Sequence, residues 1–206
     1  MQKNEISQEF LTIQSKVEAR LTVKRSRFIA SAAPVEHPEM AKNFIQEISS
    51  QYADATHNCF AYKLGVGDQA IFKISDAGEP SGTAGRPILQ AIESKNLTNI
   101  AVVVTRYFGG IKLGIGGLIQ AYSAAAMAVL NRAKIVKYYP KTLLKLIYPY
   151  TCTNAVNTAI NRFKAAIINS CYDETVQMEI EIKRQDRESI IETLNDLSGG
   201  KVRVLY

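Results

Sequence analysis

The sequence has no tryptophan, only two histidines, His37 and His57, and three scattered cysteines. Two imidazoles are too few for a zinc centre assembled from His and Cys to be expected. The odd cysteine count, without a CxxC pair, argues against a disulfide framework. Cys59, Cys152 and Cys171 read as small buried hydrophobes in a reducing compartment. Long apolar runs are missing too. The longest, Ile100 to Thr105, is far too short to cross a bilayer, and Met1 to Phe10 is polar rather than signal-like. The expectation is a cytoplasmic chain with no membrane partner. Basic charge is not concentrated either. The formal net charge is +6, yet the densest cluster is Lys24-Arg25-Ser26-Arg27, and the excess is shared along the chain. Such a balance leans toward anionic partners, RNA or phosphorylated metabolites, without marking any segment as a dedicated nucleic-acid module.

What is present is enough for a packed core. Of 206 residues, 47% are hydrophobic, a length and composition that suit two folded domains. Val17, Ala19, Leu21 and Val23 alternate as a strand does, and Phe28-Ile29-Ala30 continues as a second strand. Pro38 suits the first turn of a helix carrying Met40, Ala41, Phe44, Ile45, Ile48 and Tyr52 on one stripe. Cys59 to Leu64 and Ala70 to Ile74 read as strands joined by Gly65-Val66-Gly67-Asp68. Ile88 to Ser94 is a short helix. Ile100 to Thr105 is a strand buried on both faces. Leu118, Tyr122, Ala125, Ala126 and Val129 mark a long helix.

The pattern changes near Lys137-Tyr138-Tyr139-Pro140. A strand from Thr142 to Tyr148 follows, then a helix capped by Thr153 and a strand from Ala165 to Cys171. Val176, Met178, Ile180 and Ile182 form a third strand, Asp186 caps a helix bearing Ile190, Ile191, Leu194 and Leu197, and Val202 and Val204 close the series. The order βαββαβ is the ferredoxin-like plan. The expected class is α+β, with one domain over 1–136 and a ferredoxin-like domain over 137–206.

Two glycine-rich segments carry the chemistry of the first domain. One reads Asp76-Ala77-Gly78-Glu79-Pro80-Ser81-Gly82-Thr83-Ala84-Gly85-Arg86-Pro87 and runs into a helix. Asp76 and Glu79 can hold a hydrated magnesium ion or cap local backbone donors, and the second reading is favoured. The other reads Arg106-Tyr107-Phe108-Gly109-Gly110-Ile111-Lys112-Leu113-Gly114-Ile115-Gly116-Gly117, after a buried strand and before the long helix. Backbone N–H groups, a helix dipole, Lys112 and Arg106 would converge on an anion there. It is not a Walker A motif, since Ile115 stands where Lys would be required, and no G-x-G-x-x-G occurs. The glycines can instead serve tight packing alone. Tyr107 and Phe108 can stack on a base or belong to the core. His57 and Cys59 share one face of a strand, but a structural role is favoured over a Cys–His nucleophile because no third orienting residue can be named.

These segments resemble the IMPACT/YigZ family. The resemblance rests on Lys24 through Phe28, on Ala55 to Tyr62 with His57-Asn58-Cys59, on Asp76 to Leu89, and on Val102 to Tyr122 with Arg106-Tyr107-Phe108-Gly109-Gly110. The last third is similar to the smaller domain of the bacterial branch by layout more than by motif. The resemblance implies a left-handed βαβ unit like that of a small-subunit ribosomal protein, GHMP kinases and elongation factor G. It also implies a second domain like a ferredoxin-like domain of that factor. For function it implies translation control, exerted in eukaryotic relatives by protein contacts.

The leading expectation is a non-enzymatic, translation-associated regulator that binds RNA or the ribosome. Arg106, Lys112, Gly109, Gly110, Gly114, Gly116, Gly117, Arg86, Lys24, Arg25 and Arg27 would face the anion. His57, Asn58, Asp76, Glu79, Ser81, Thr83 and Tyr107 would form the rim. No catalytic residue or cofactor is expected. Magnesium, on Asp76 or Glu79, enters only under the alternative of an enzyme or binder for a phosphorylated or nucleotide ligand. A plain protein–protein interaction module is the third reading.

Overall fold

A computed structural model describes residues 10–67 and 70–205. The polar start through Glu9, and Asp68 of the expected hairpin turn, lie outside the described residues. The class is α+β, and contacts divide the chain into two compact units between Tyr138 and Tyr139.

The first unit runs β1 (Phe10–Ile13), β2 (Val17–Val23), β3 (Ser26–Pro34), α1 (Pro38–Gln51), β4 (His57–Leu64), β5 (Ile71–Ser75), α2 (Gly85–Ser94), β6 (Ile100–Tyr107), α3 (Gly114–Arg132) and β7 (Ile135–Tyr138). Its main sheet has the order β2-β3-β6-β4-β5, every neighbouring pair antiparallel. The connections β3–α1–β4 and β5–α2–β6 therefore each skip one strand and return in the same direction.

The central strand explains the apolar run read in the sequence. Side chains alternate across a strand. Ala101 and Val103 pack in one layer with Ala41, Phe44 and Ile48 of α1, while Val102 and Val104 join Phe28, Cys59 and the buried stripes of α2 and α3 in the other. With both faces covered, neither set can be polar. Alanines at 121, 125 and 126 let α3 lie close to the sheet. Met40 of the α1 stripe is exposed instead. The short strands β1 and β7 pair with each other, and at four residues each they carry too little alternation to read from sequence.

The second unit runs β8 (Lys141–Tyr148), α4 (Thr153–Phe163), β9 (Ala166–Tyr172), β10 (Val176–Lys183), α5 (Arg187–Ser198) and β11 (Arg203–Leu205). The antiparallel order β11-β8-β10-β9 is the ferredoxin-like arrangement. Val176, Met178, Ile180 and Ile182 pack against Val156, Ala159 and Ile160 of α4 and Ile190 and Leu194 of α5. The caps differ from expectation. Thr153 is the first helical residue and donates to the Tyr150 carbonyl, and Asp186 sits at the cap position without a side-chain bond. Leu197 is half exposed, and Cys171, on the edge strand β9, is exposed rather than buried. No helix among the described residues is long and apolar enough to cross a membrane.

Candidate functional site

The two glycine-rich segments meet at one end of the five-stranded sheet. Arg106, near the end of β6, lies between His57 of β4 and Phe28 of β3 in the strand register. Glu79, from the segment after β5, reaches into the same place. Its Oε1 accepts from Arg106 Nη1 at 2.6 Å and from the Tyr122 hydroxyl at 2.8 Å. Only 6% of the Arg106 side chain and 4% of the Glu79 side chain are exposed, so this pair is desolvated. Arg106 also lies 5.6 Å from the Phe28 ring and 5.5 Å from the Phe108 ring. Its Nε has no acceptor among the described residues.

Around this pair the partners are fixed. His57 Nδ1 faces the Ala77 carbonyl at 2.9 Å. A carbonyl only accepts, so Nδ1 carries the proton, and Nε2 faces Glu79 Oε1 at 3.8 Å. Tyr122 stacks edge-on against Phe28, with ring centroids 5.3 Å apart. Burial, then its contacts with Cys59 and Glu79, pushes the Tyr122 hydroxyl far above the usual tyrosine range. Burial likewise pushes the Cys59 thiol up to about 12, and its sulfur lies 2.9 Å from the Asp76 carbonyl oxygen. A raised thiol is a smaller fraction thiolate at neutral pH, and the thiolate is the nucleophilic form.

Asp76 does what a turn carboxylate is expected to do. Oδ1 accepts from the amides of Ala84 and Gly85, and Oδ2 accepts from Gly82, all at 2.8–2.9 Å. Burial works against its charge, but the three amides outweigh it and hold the carboxyl below its ordinary value. The first turn of α2 is thus tied to the loop that carries Glu79.

The second segment behaves differently. Tyr107 still belongs to β6, and α3 already begins at Gly114, so Gly114, Gly116 and Gly117 lie in a helix turn rather than in a loop. Gly109 packs on the β2–β3 turn so closely that a Cβ would lie 2.1 Å from the Arg25 carbonyl carbon. Its amide donates to Ser26 Oγ. Lys24 and Arg25 form that turn with φ of 43° and 67°, left-handed values that favour glycine or asparagine. Gly114 has φ of 73°, and Leu113, at the cap position, offers the helix no side-chain acceptor. Among the described residues, the first amides of α3 are therefore without a side-chain cap.

A cavity of about 400 Å³ lies over the ion pair, lined among others by His57, Glu79, Arg106, Phe108, Lys112 and Gly114. Thr56, Pro80, Leu113, Ile115 and Leu118 complete its wall. Arg106, expected as a charge on offer, is committed to Glu79. Lys112, Lys24 and Arg25 are exposed and make no ion pair among the described residues, and exposed Arg27 lies over the Tyr107 ring. Gly110 is exposed in the connecting loop.

Other expected rim residues fall elsewhere. Asn58 points to the opposite sheet face, where it accepts from Thr105 Oγ1 and donates to the Tyr52 carbonyl. Thr83 is buried and bonds the Pro80 carbonyl. The Tyr107 hydroxyl donates to Asp54. Ser81 and Arg86 are exposed but do not line the cavity. Tyr122, Ser26 and the cavity-lining Thr56 are polar members that sequence reading missed. A tyrosine inside an alanine-rich buried stripe was the available signal, because its hydroxyl must find a partner.

Fold and site together define an α+β protein whose first unit gathers two distant glycine-rich segments around one buried ion pair. Residues 24–130 match the family described as the Impact N-terminal domain. The chain is 35% identical to the IMPACT family member YvyE of Bacillus subtilis (strain 168), over 93% of this chain and 88% of that one. It is 32% identical to the IMPACT family member YigZ of Escherichia coli (strain K12), over 89% of this chain and 90% of that one. A solved structure described as that of a hypothetical protein superposes with a TM-score of 0.76 at 31% identity, covering 96% of each chain. The chain belongs to the IMPACT family.

Proposed function

We propose that this chain is a non-enzymatic, translation-associated protein that binds RNA, free or on the ribosome, through phosphate contacts at the glycine-rich end of the first unit. One observation carries the reading: the basic Lys24–Arg25 turn abuts Gly109, in the loop that leads into the uncapped start of α3. Two cations are thus kept where the backbone is strained, against the loop that leads to a helix start whose amides and dipole attract anions. Lys112 and Arg27 extend the positive surface. The test is fluorescence anisotropy with a short RNA across a salt series. Four phosphate contacts predict a slope of log K against log salt of roughly −2.8. Replacing Lys24 and Arg25 by Ala should flatten it by about 1.4. Salt-independent binding, or none at low salt, overturns the proposal.

A second reading is favoured by the cavity itself. A space of about 400 Å³ with a buried Glu79–Arg106 pair at its base suits a small phosphorylated or nucleotide ligand. A thermal-shift screen of nucleotides, with and without magnesium, tests it. Stabilisation by a nucleotide in the absence of RNA binding would put this reading first.

A further inference from the structure

Independently of the RNA reading, we infer that β9 is the contact between two copies of this chain, paired antiparallel and edge to edge. β9 ends the four-stranded sheet on one side and pairs only with β10 among the described residues. Backbone N–H and C=O groups along the other side of such a strand are open to a further strand. All seven of its residues are exposed, with Ile167 at 51%, Ile168 at 54% and Tyr172 at 62%. Ile167 and Tyr172 stand opposite the buried Ile180 and Val176 of β10, so they share the sheet face on which α4 and α5 pack. The apolar layer of the second unit thus runs out into solvent at this edge.

The other edges of the two larger sheets are guarded. β2 carries Glu18 and Arg20, β5 carries Lys73, and β11 is three residues long and starts with Arg203. Charged side chains and short length keep an edge from recruiting a strand. β9 contains neither a charge nor a proline. Its one irregularity, the extra residue Ile168 opposite the step from Glu179 to Ile180, adds a further apolar side chain to the edge.

The flanks of β9 identify the occupant. Lys164 precedes the strand, and Asp173 and Glu174 follow it. All three are exposed, and none has an ion-pair partner among the described residues. The edge is therefore an apolar stretch between a basic end and an acidic end. A second copy running antiparallel offers the same stretch with its ends reversed. A two-fold axis perpendicular to the sheet near Asn169 sets Lys164 of each copy across from Asp173 and Glu174 of the other, so one contact matches both ends. A parallel copy would set like charges together. The two four-stranded sheets become one of eight, with Ile167 and Tyr172 of both copies on the same face.

The test uses the full chain in sedimentation equilibrium across a concentration series, with hydrogen exchange of residues 166–172 followed alongside. Dimers are expected to form below about 100 μM, and exchange in β9 should slow as they do. Ile168→Lys puts a charge on the edge and should weaken association at least about tenfold. Lys164→Glu in one protein, and Asp173→Lys with Glu174→Lys in another, should each weaken self-association by at least about tenfold as well. These positions are exposed, so an unchanged circular dichroism spectrum is expected of all three proteins. Mixing the two charge-reversed proteins should restore association as a heterodimer, because opposite charges then face each other at both ends. A chain that stays monomeric to about 100 μM overturns the inference, whatever other strand the edge accepts. So does a dimer that these substitutions leave intact, or a mixture that yields no heterodimer.

Discussion

Replacing Glu79 by alanine should be among the most damaging single changes in the first unit. The carboxylate accepts from Arg106 at 2.6 Å and from Tyr122 at 2.8 Å, and both members of the ion pair are almost fully buried. Truncation leaves a guanidinium that cannot return to water and whose Nε is already unsatisfied. Breaking a buried pair from one side costs about 3–5 kcal/mol. The Tyr122 hydroxyl loses its acceptor as well, at about 1–3 kcal/mol, but it shares that oxygen with Arg106 and the two costs overlap. The expected loss is about 4 kcal/mol. Arg106→Met alone should cost less, because Glu79 keeps the Tyr122 donor and has His57 nearby. The double variant should be more stable than the sum of the singles predicts by about 2 kcal/mol, since no charge is then stranded. Two units do not guarantee a single unfolding transition, so hydrogen exchange of peptides from β6 and α3 is the suitable assay. A loss below about 1 kcal/mol for Glu79→Ala, or strict additivity, would refute the buried pair as the organiser of this site.

Two other changes test its supports. Asp76→Ala removes the acceptor of three amides and should cost about 2 kcal/mol by urea denaturation, the partly exposed amides recovering some of their bonds to water. Because the native carboxyl is held below 3.8, its contribution is complete above that value and fades as pH falls toward the lower native one. Asp76→Asn should therefore flatten the acid limb of the stability curve, and an unchanged limb would count against the capping role. Gly109→Ala places a Cβ 2.1 Å from backbone that cannot rotate away, so a loss of about 1–3 kcal/mol is expected in thermal melts. Near-wild-type melting would show that the loop does not press on the Lys24–Arg25 turn.

Most of the fold was legible because its elements carry clean periods. β10 alternates at period two, and β6 is apolar throughout because helices cover both its faces. The ferredoxin-like order followed from counting such segments. Where reading failed, local pattern was overruled. Gly114, Gly116 and Gly117 look like loop residues, yet the helix extends back through them. Cys171 looks like a core residue, yet it lies on an edge strand exposed along its whole length. The site was half legible. Both glycine-rich segments and His57 were recognised, and the capping role of Asp76 followed from its place in a turn. That Arg106 would be neutralised by Glu79 was not readable, because it depends on two residues 27 positions apart in the chain returning to one sheet end.

The two helix starts in the first unit form a natural pair of opposites. Asp76, a residue of the same chain, supplies the negative group for the amides that open α2, while α3 begins on glycines with no carboxylate of its own. An anion in solution therefore competes with a tethered rival at α2 and with water alone at α3. The molecule carries its own reference for what a satisfied helix start looks like, in the same unit as one that depends on its surroundings.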